Sequence, residues 1–409
     1  EQKDENLARE VIEGDGERNY ELTEQDPKGN LVEIARQRAK LENVPLIVGG
    51  TGPSLKTYYG LTEGSLEPID GNFPEGLADS VKLSLEPPEK GSSSRALTSG
   101  MKRELKESIA EKEPVLIIGT KKGTSNAAIC AECGEVVRCP DCEVPFSFTR
   151  SGNYGVCPYC GKRRSLLVCD NCKSDELSFV GSGLEKAEFE ARDLLPGATV
   201  RRFDSQAETW KDFSKLVTRV VDGDVDVLLG TSLVESLYFQ NEFSRVFLLD
   251  LDLINNRPSY RSTEFLIQRV LASLDLVKPS GKVLLQVTGG RGAPVELMEA
   301  GNWAELYERE LESRRRMGYP PFKDLIKLEV EGEDPDDARK VAEELKDELS
   351  SDGKDYRILG PTENRLGKRK GKSRVDLIVK TEKPVEFGER VTELVRRKEY
   401  GEVRLNPFA

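Results

Sequence analysis

Residues 130–172 read CAECGEVVRCPDCEVPFSFTRSGNYGVCPYCGKRRSLLVCDNC and hold all eight cysteines of the 409-residue chain. They form four Cys-x-x-Cys pairs: Cys130/Cys133, Cys139/Cys142, Cys157/Cys160 and Cys169/Cys172. Eight thiolates make two closed four-cysteine sites with none left over. Two other chemistries use such cysteines. A disulfide within a pair closes a small, strained ring, and iron–sulfur clusters are also held by sets of four. The turns favour zinc: glycine follows Cys133 and Cys160, and proline follows Cys139 and Cys157, as tight knuckles around a metal require. Four thiolates fill a tetrahedral shell and leave no position for water, so a structural role is expected. The chain has no histidine, which excludes both a mixed Cys/His site and a histidine general base.

Five residues separate the first pair from the second, and fourteen separate the second from the third. These lengths suit a nested arrangement. Cys139, Cys142, Cys157 and Cys160 would form an inner site spanned by a hairpin over 144–156, and Cys130, Cys133, Cys169 and Cys172 an outer one. Sequential and crossed pairings satisfy the same spacing.

Outside this stretch, short apolar runs alternate with helical patterns. Helices are expected over 101–111, 183–194, 210–221 and 265–274, and strands over 115–118, 198–203, 225–229, 245–251 and 282–287. Strands alternating with helices imply a parallel α/β sheet, with the cysteine module inserted after its 115–118 strand. Upstream, 30–41 reads as a helix and 44–48 as a short strand, whereas 1–29 is polar and poorly patterned. The Gly-, Pro- and Ser-rich stretch 62–97 reads as loop or linker. Downstream, strands over 325–330, 356–359, 375–379 and 403–405, with helices over 335–349 and 384–397, give a βαββαβ order, the ferredoxin-like pattern.

Apolar residues make up 37% and charged residues 33% of the chain, and no run is long enough to span a membrane. Reduced thiols at metal spacing point to the cytoplasm. The net charge is −12, but cations cluster locally: Arg150, Lys162, Arg163 and Arg164 in the cysteine module; Arg314, Arg315 and Arg316; and Arg365, Lys368, Arg369, Lys370, Lys372 and Arg374 near the C-terminus. Such runs are solvated faces or phosphate contacts. Gly367 to Ser373 resembles a phosphate-binding loop, but it is one residue short and precedes a strand, so no helix N-terminus is available to meet phosphate.

The cysteine spacing, Arg-Gln-Arg-Ala-Lys-Leu-Glu-Asn-Val-Pro at 36–45, Pro53 to Tyr59, the Gly-Thr at 230–231, and Gly-Tyr-Pro-Pro-Phe at 318–322 together resemble the primosomal replication-restart helicase PriA family. The resemblance runs through nearly the whole chain. It implies a partial helicase lobe 1 (1–85), a linker and the start of lobe 2 (86–128), a two-zinc insertion (129–175), lobe 2 of RecA-like fold (176–300) and a C-terminal domain (301–409). It also implies nested zinc pairing.

The departures are specific. Glu13-Gly14-Asp15-Gly16 stands where the family carries Asp-Glu-Glu-His, so the water-activating glutamate falls on Gly14. Asp275 to Pro279 stands where the family carries Gly-Arg-Ala-Gly-Arg, and Ser236-Leu237 where it has Lys-Gly. An arginine finger is worth about three to five orders of magnitude in rate. The expected protein therefore binds forked or branched DNA and assembles replication or repair proteins without hydrolysing ATP. Arg163, Arg164, Lys368, Arg369, Lys370, Lys372 and Arg374 are its candidate DNA contacts, and Tyr154, Tyr159 and Phe148 either stack on bases or pack around the metal knuckles. The alternatives are an ATP-dependent 3'-5' DNA helicase whose N-terminal half lies upstream of Glu1, and a zinc-containing RNA-binding protein.

Overall fold

The computed structural model describes residues 9–12, 31–50, 52–69, 82–86, 96–119, 128–130, 132–133, 135–148, 154–165, 168–175, 177–178, 184–203, 210–231, 242–251, 259–287, 293–351, 356–363, 372–398, 400 and 403–407. Two sheets dominate. The first has six parallel strands: β3 (Lys82–Glu86), β4 (Val115–Ile118), β10 (Val200–Phe203), β11 (Val227–Gly230), β12 (Phe243–Leu248) and β13 (Val277–Gln286). Their order is β10-β11-β4-β12-β13-β3. Central β4 reads Val-Leu-Ile-Ile, and every one of its side chains is buried, as expected of a strand covered on both faces. The helices Leu55–Thr62, Ser262–Leu276 and Trp303–Met317 pack against one face, and Ser99–Ala110 and Leu184–Leu194 against the other. Each fully buried Leu, Val or Ile side chain contributes about 1.5–3 kcal/mol.

Strand β3 corrects the reading of 62–97 as loop. It pairs with β13 from Lys82↔Lys282 to Glu86↔Gln286 and forms one edge of the sheet. Only Leu83 and Leu85 carry its burial, between runs rich in turn formers, so the signal in the sequence was two residues long. A second unanticipated strand, β1 (Arg9–Ile12), lies in the stretch read as unpatterned and pairs in parallel with β2 (Leu46–Gly49). The Glu13–Gly16 and Ser236-Leu237 positions lie outside the described residues.

The cysteine module leaves the sheet at the carboxyl end of β4 and returns at the helix Leu184–Leu194. Its base is a short antiparallel pair, β5 (Ile129–Cys130) with β9 (Leu177–Ser178). Its body is a meander of β6 (Ser147–Phe148), β7 (Tyr154–Val156) and β8 (Arg163–Ser165).

The second large sheet belongs to the C-terminal unit and is wholly antiparallel. Strands β14 (Asp324–Gly332), β15 (Tyr356–Glu363), β16 (Ser373–Thr381) and β17 (Val403–Pro407) lie in the order β15-β16-β14-β17. The helices Pro335–Ser350 and Pro384–Lys398 complete the expected βαββαβ element order and pack on one face, over Ile326, Leu328, Val330, Val375, Leu377 and Val379. Asp334 caps the first of these helices through the N–H groups of Asp336 and Asp337, with Pro335 at its first position.

Candidate metal centres and nucleic-acid interface

The fold gathers the cysteines into two nested sets. Cys139, Cys142, Cys157 and Cys160 converge at one point and Cys130, Cys133, Cys169 and Cys172 at another, with the sulfurs of each set within 4.8 Å of one another. Three sulfur pairs lie 3.5 Å (Cys130–Cys172), 3.6 Å (Cys133–Cys169) and 3.7 Å (Cys139–Cys160) apart. Sulfurs bound at about 2.3 Å in a tetrahedron are about 3.8 Å apart, so the sets fit a tetrahedral cation. A disulfide would need about 2.0 Å, and all eight cysteines are free.

Three of the four knuckles share one backbone device. The N–H of Glu143 donates to Cys139 O, that of Gly161 to Cys157 O and that of Lys173 to Cys169 O. All three residues directly follow the second cysteine of a pair and have positive φ, 55°, 74° and 63°. This left-handed residue turns the chain so that both sulfurs point inward. Glycine suits it best, and Glu143 and Lys173 adopt it at some cost. At Gly161 a side chain is also barred by contact, because an added Cβ would lie 2.9 Å from Pro361 O in β15.

Thiols this close disturb one another. Cys139 is lowered to about 6, first by the Cys142 thiol and then by Cys157. Cys142 and Cys157 are pushed far above the usual thiol range, each first by Cys139. Four thiols at this spacing ionise together only if a cation takes up their charge.

The inner set is the centre of a wider cluster. Cys139, Cys142 and Cys157 pack with Phe146, Tyr159 and Tyr319, and with Leu325, Leu359 and Ile378 of the C-terminal sheet. Tyr319 donates its hydroxyl to Cys142 O at 2.7 Å and stacks on Tyr260 with centroids 5.1 Å apart. Tyr159 is buried, and its hydroxyl accepts from the Tyr260 N–H at 3.0 Å. It therefore packs around the knuckles and is not a base platform. Arg316 donates to the Glu143 carboxylate at 2.9 and 3.0 Å. Lys380 donates to Met317 O at 2.7 Å with its ammonium 3.5 Å from the Tyr319 ring centroid. Burial lowers Lys380 to about 8.

Within the Arg314 to Arg316 cluster only Arg314 is buried, and Arg315 and Arg316 are exposed. Arg314 is 5% exposed and bonds Glu264 at 3.0 Å and Glu310 at 2.9 Å. Glu264 also accepts from Arg261 at 3.1 Å and from the Leu55 N–H at 2.9 Å. Burial alone would raise the Glu264 carboxyl, but the Arg314 and Arg261 guanidinium groups hold it down at about 2. Arg315 lies over the Phe322 ring, 4.5 Å from its centroid. This network ties the Leu55–Thr62 helix to two others across long sequence separations, and periodicity gave no sign of it.

The structure divides the candidate DNA contacts. Arg163 is exposed, with its guanidinium 5.4 Å from the Tyr154 ring centroid, and Tyr154 is 41% exposed. Lys372 also faces solvent, 3.7 Å from Glu333. Arg164 is held bidentate by Asp170, at 2.6 and 2.7 Å. Arg374 differs from these: its side chain is 8% exposed and pairs with Glu329 across the β14–β16 ladder at 3.3 Å. Lys368, Arg369 and Lys370 lie outside the described residues, as does the Phe148 side chain.

Known proteins resemble this chain over most of its length. A family model described as the primosomal protein N C-terminal domain matches residues 315–406. The replication restart protein PriA of Bacillus subtilis is 28% identical over 386 residues, covering 92% of this chain and 48% of that protein. The chain is thus similar to PriA proteins over about nine-tenths of its length. The PriA of Thermotoga maritima is 26% identical over 360 residues, 87% of this chain and 48% of that one. The chain therefore spans about half the length of the curated PriA relatives it matches. A solved structure of the DUF1998 helicase MrfA bound to DNA matches 75% of this chain and 32% of its own at 11% identity and TM-score 0.33. Among the described residues, no helix is long and apolar enough to cross a membrane.

Proposed function

We propose that this chain is a DNA-binding component of replication restart and primosome assembly. In this reading it recognises forked or branched DNA, holds zinc in both cysteine quartets and does not hydrolyse ATP. The observation that carries the reading is the exposed Tyr154–Arg163 pair, mounted on a module whose inner metal site is anchored in the C-terminal unit. An aromatic ring beside a guanidinium suits an unpaired base and its phosphate, and affinity should fall as salt rises. The exposed Lys372 is a further proposed phosphate contact, and Lys368, Arg369 and Lys370 are proposed from the sequence alone. Replication and repair proteins are the proposed protein partners, and the cytoplasm, where thiols stay reduced, the proposed compartment.

The architecture supports the same reading. The parallel sheet is read as a RecA-like lobe 2 and the βαββαβ unit as ferredoxin-like. We propose a lobe boundary just before Lys82 in place of 85, since a division at 85 would cut β3. Asp275 to Pro279 runs from the end of a helix into β13 without an arginine, and Lys278 is paired with Glu113. The RNA reading is weakened by the C-terminal sheet. On the face away from its helices lie Lys327, Glu329, Arg374 and Asp376, linked by ion pairs, and not a row of aromatic residues.

The test measures affinity for forked DNA against plain duplex at several salt concentrations, with ATP hydrolysis followed on the same DNA. Fork preference without hydrolysis is expected. Equal affinity for the two DNAs would sink the recognition part, and DNA-stimulated hydrolysis would restore the helicase reading.

A further inference from the structure

The two quartets differ in what can reach them. In the inner set Cys139, Cys142 and Cys157 are fully buried against Tyr159 and Tyr319, Cys160 is half-buried, and none is exposed. In the outer set Cys172 is exposed and Cys133 half-buried, whereas Cys130 and Cys169 are buried. The exposed sulfur has a buried partner at contact distance: Cys172 Sγ lies 3.5 Å from Cys130 Sγ. These two cysteines come from opposite ends of the module, one from β5 at its base and the other from the last knuckle. The outer knuckle also touches the proposed DNA-facing hairpin, because Asp170, between Cys169 and Cys172, holds Arg164 of β8 bidentate. Arg164 adjoins Arg163.

We infer that the outer quartet is an oxidant-sensitive metal switch that peroxide opens while the inner quartet stays loaded. The inference rests on the reading that both quartets hold zinc. Oxidation of metal-bound thiolates follows exposure, so Cys172 reacts first. Its thiolate attacks hydrogen peroxide, the O–O bond breaks, and Cys172 becomes a sulfenic acid as hydroxide leaves. The Cys130 thiolate then attacks that sulfur and expels a second hydroxide, forming the Cys130–Cys172 disulfide. Two thiolates have given two electrons to one peroxide. The ion, left with Cys133 and Cys169 alone, is released. The new bridge still joins β5 to the last knuckle, so the base of the module stays closed and the change reverses with a thiol reductant and zinc. The knuckle that holds Arg164 is reshaped, which loosens the strand carrying Arg163.

The experiment uses the whole chain, reduced and loaded with zinc under anaerobic conditions. Metal content is measured before oxidant is added. Fewer than two ions per chain at that stage would remove the metal reading and this inference with it. With two ions present, hydrogen peroxide should release one, read with a metallochromic dye, and retain the other. Peptide mapping should find Cys130 joined to Cys172, and reductant plus zinc should return the metal content to two. Release of both ions together, release of none, or a first disulfide among Cys139, Cys142, Cys157 and Cys160 would overturn the switch.

Discussion

The two cysteine quartets are alike in chemistry and unlike in what they hold together. The outer one closes the ends of an insertion, near the short β5–β9 pair, and one of its sulfurs faces solvent. The inner one lies in an apolar cluster that includes Leu325, Leu359 and Ile378 of the next structural unit and Tyr260 of the unit before it. A four-cysteine set is therefore a local staple in one place and the core of a junction in the other. The difference comes from the surroundings. Tyr159, Tyr319 and Phe146 shield the inner set, whereas the outer set has the ion-paired Asp170 and exposed Lys173 beside it.

Removing each site in turn should separate them. A structural zinc tetrathiolate contributes about 10–16 kcal/mol of apparent binding free energy, so Cys157→Ser is expected to be the most damaging change. It should release the C-terminal unit, seen as rapid protease cleavage near residues 318–323 and a lower Tm. Cys172→Ser should leave that segment protected. Matching cleavage patterns in the two variants would erase the distinction.

The Glu264 network gives the next largest effect, because Glu264→Gln removes the carboxylate shared by the buried Arg314 and Arg261 and leaves Arg314 one of its two carboxylate partners, Glu310. Breaking a buried pair from one side costs about 3–5 kcal/mol. The sign with pH follows from the carboxyl being held at about 2, below its ordinary value of 4.5. The folded state binds fewer protons there, so the stability Glu264 supplies is complete above 4.5 and is lost as pH falls toward 2. Denaturant titrations from pH 6 to 3 should show the wild-type chain losing more stability than the variant. Parallel losses would mean that Glu264 is not charged in the folded protein.

On the exposed side of the module, Tyr154→Ala should weaken single-stranded DNA binding by about 1–3 kcal/mol, the worth of one stacked base, with Tm nearly unchanged. A fall in Tm without a loss of affinity would make Tyr154 a packing residue like Tyr159. The smallest effect is expected at the junction. Tyr319→Phe keeps the ring but loses the hydrogen bond to Cys142 O, at about 1 kcal/mol. Chemical denaturation should find that loss with the metal content unchanged.

Much of the framework could be read from residues in order. The strands at 115–118 and 227–230 and the 246–248 end of β12 are continuous apolar runs and therefore legible. Strand β3 was not, because Leu83 and Leu85 are too short a signal beside glycines and prolines. Among the cations, sequence could locate clusters but not their partners. Arg163 and Arg164 are neighbours with opposite fates: one lies open beside Tyr154 and the other is closed on Asp170. Arg374 sits beside a basic loop, yet its position opposite Glu331 and near Glu329 in the β14–β16 ladder buries it.

By itself the sequence determined that this chain carries two four-thiolate centres inserted in a parallel α/β sheet and followed by a βαββαβ unit. Ligand spacing and strand period are short-range properties, written within a few residues of one another. Only the tertiary structure decided that one centre is buried in a junction and the other open to solvent, and which arginines remain for a partner. Burial and ion pairing depend on groups brought together from distant positions, as Tyr319 is with Cys142 and Glu264 with Leu55 and Arg314.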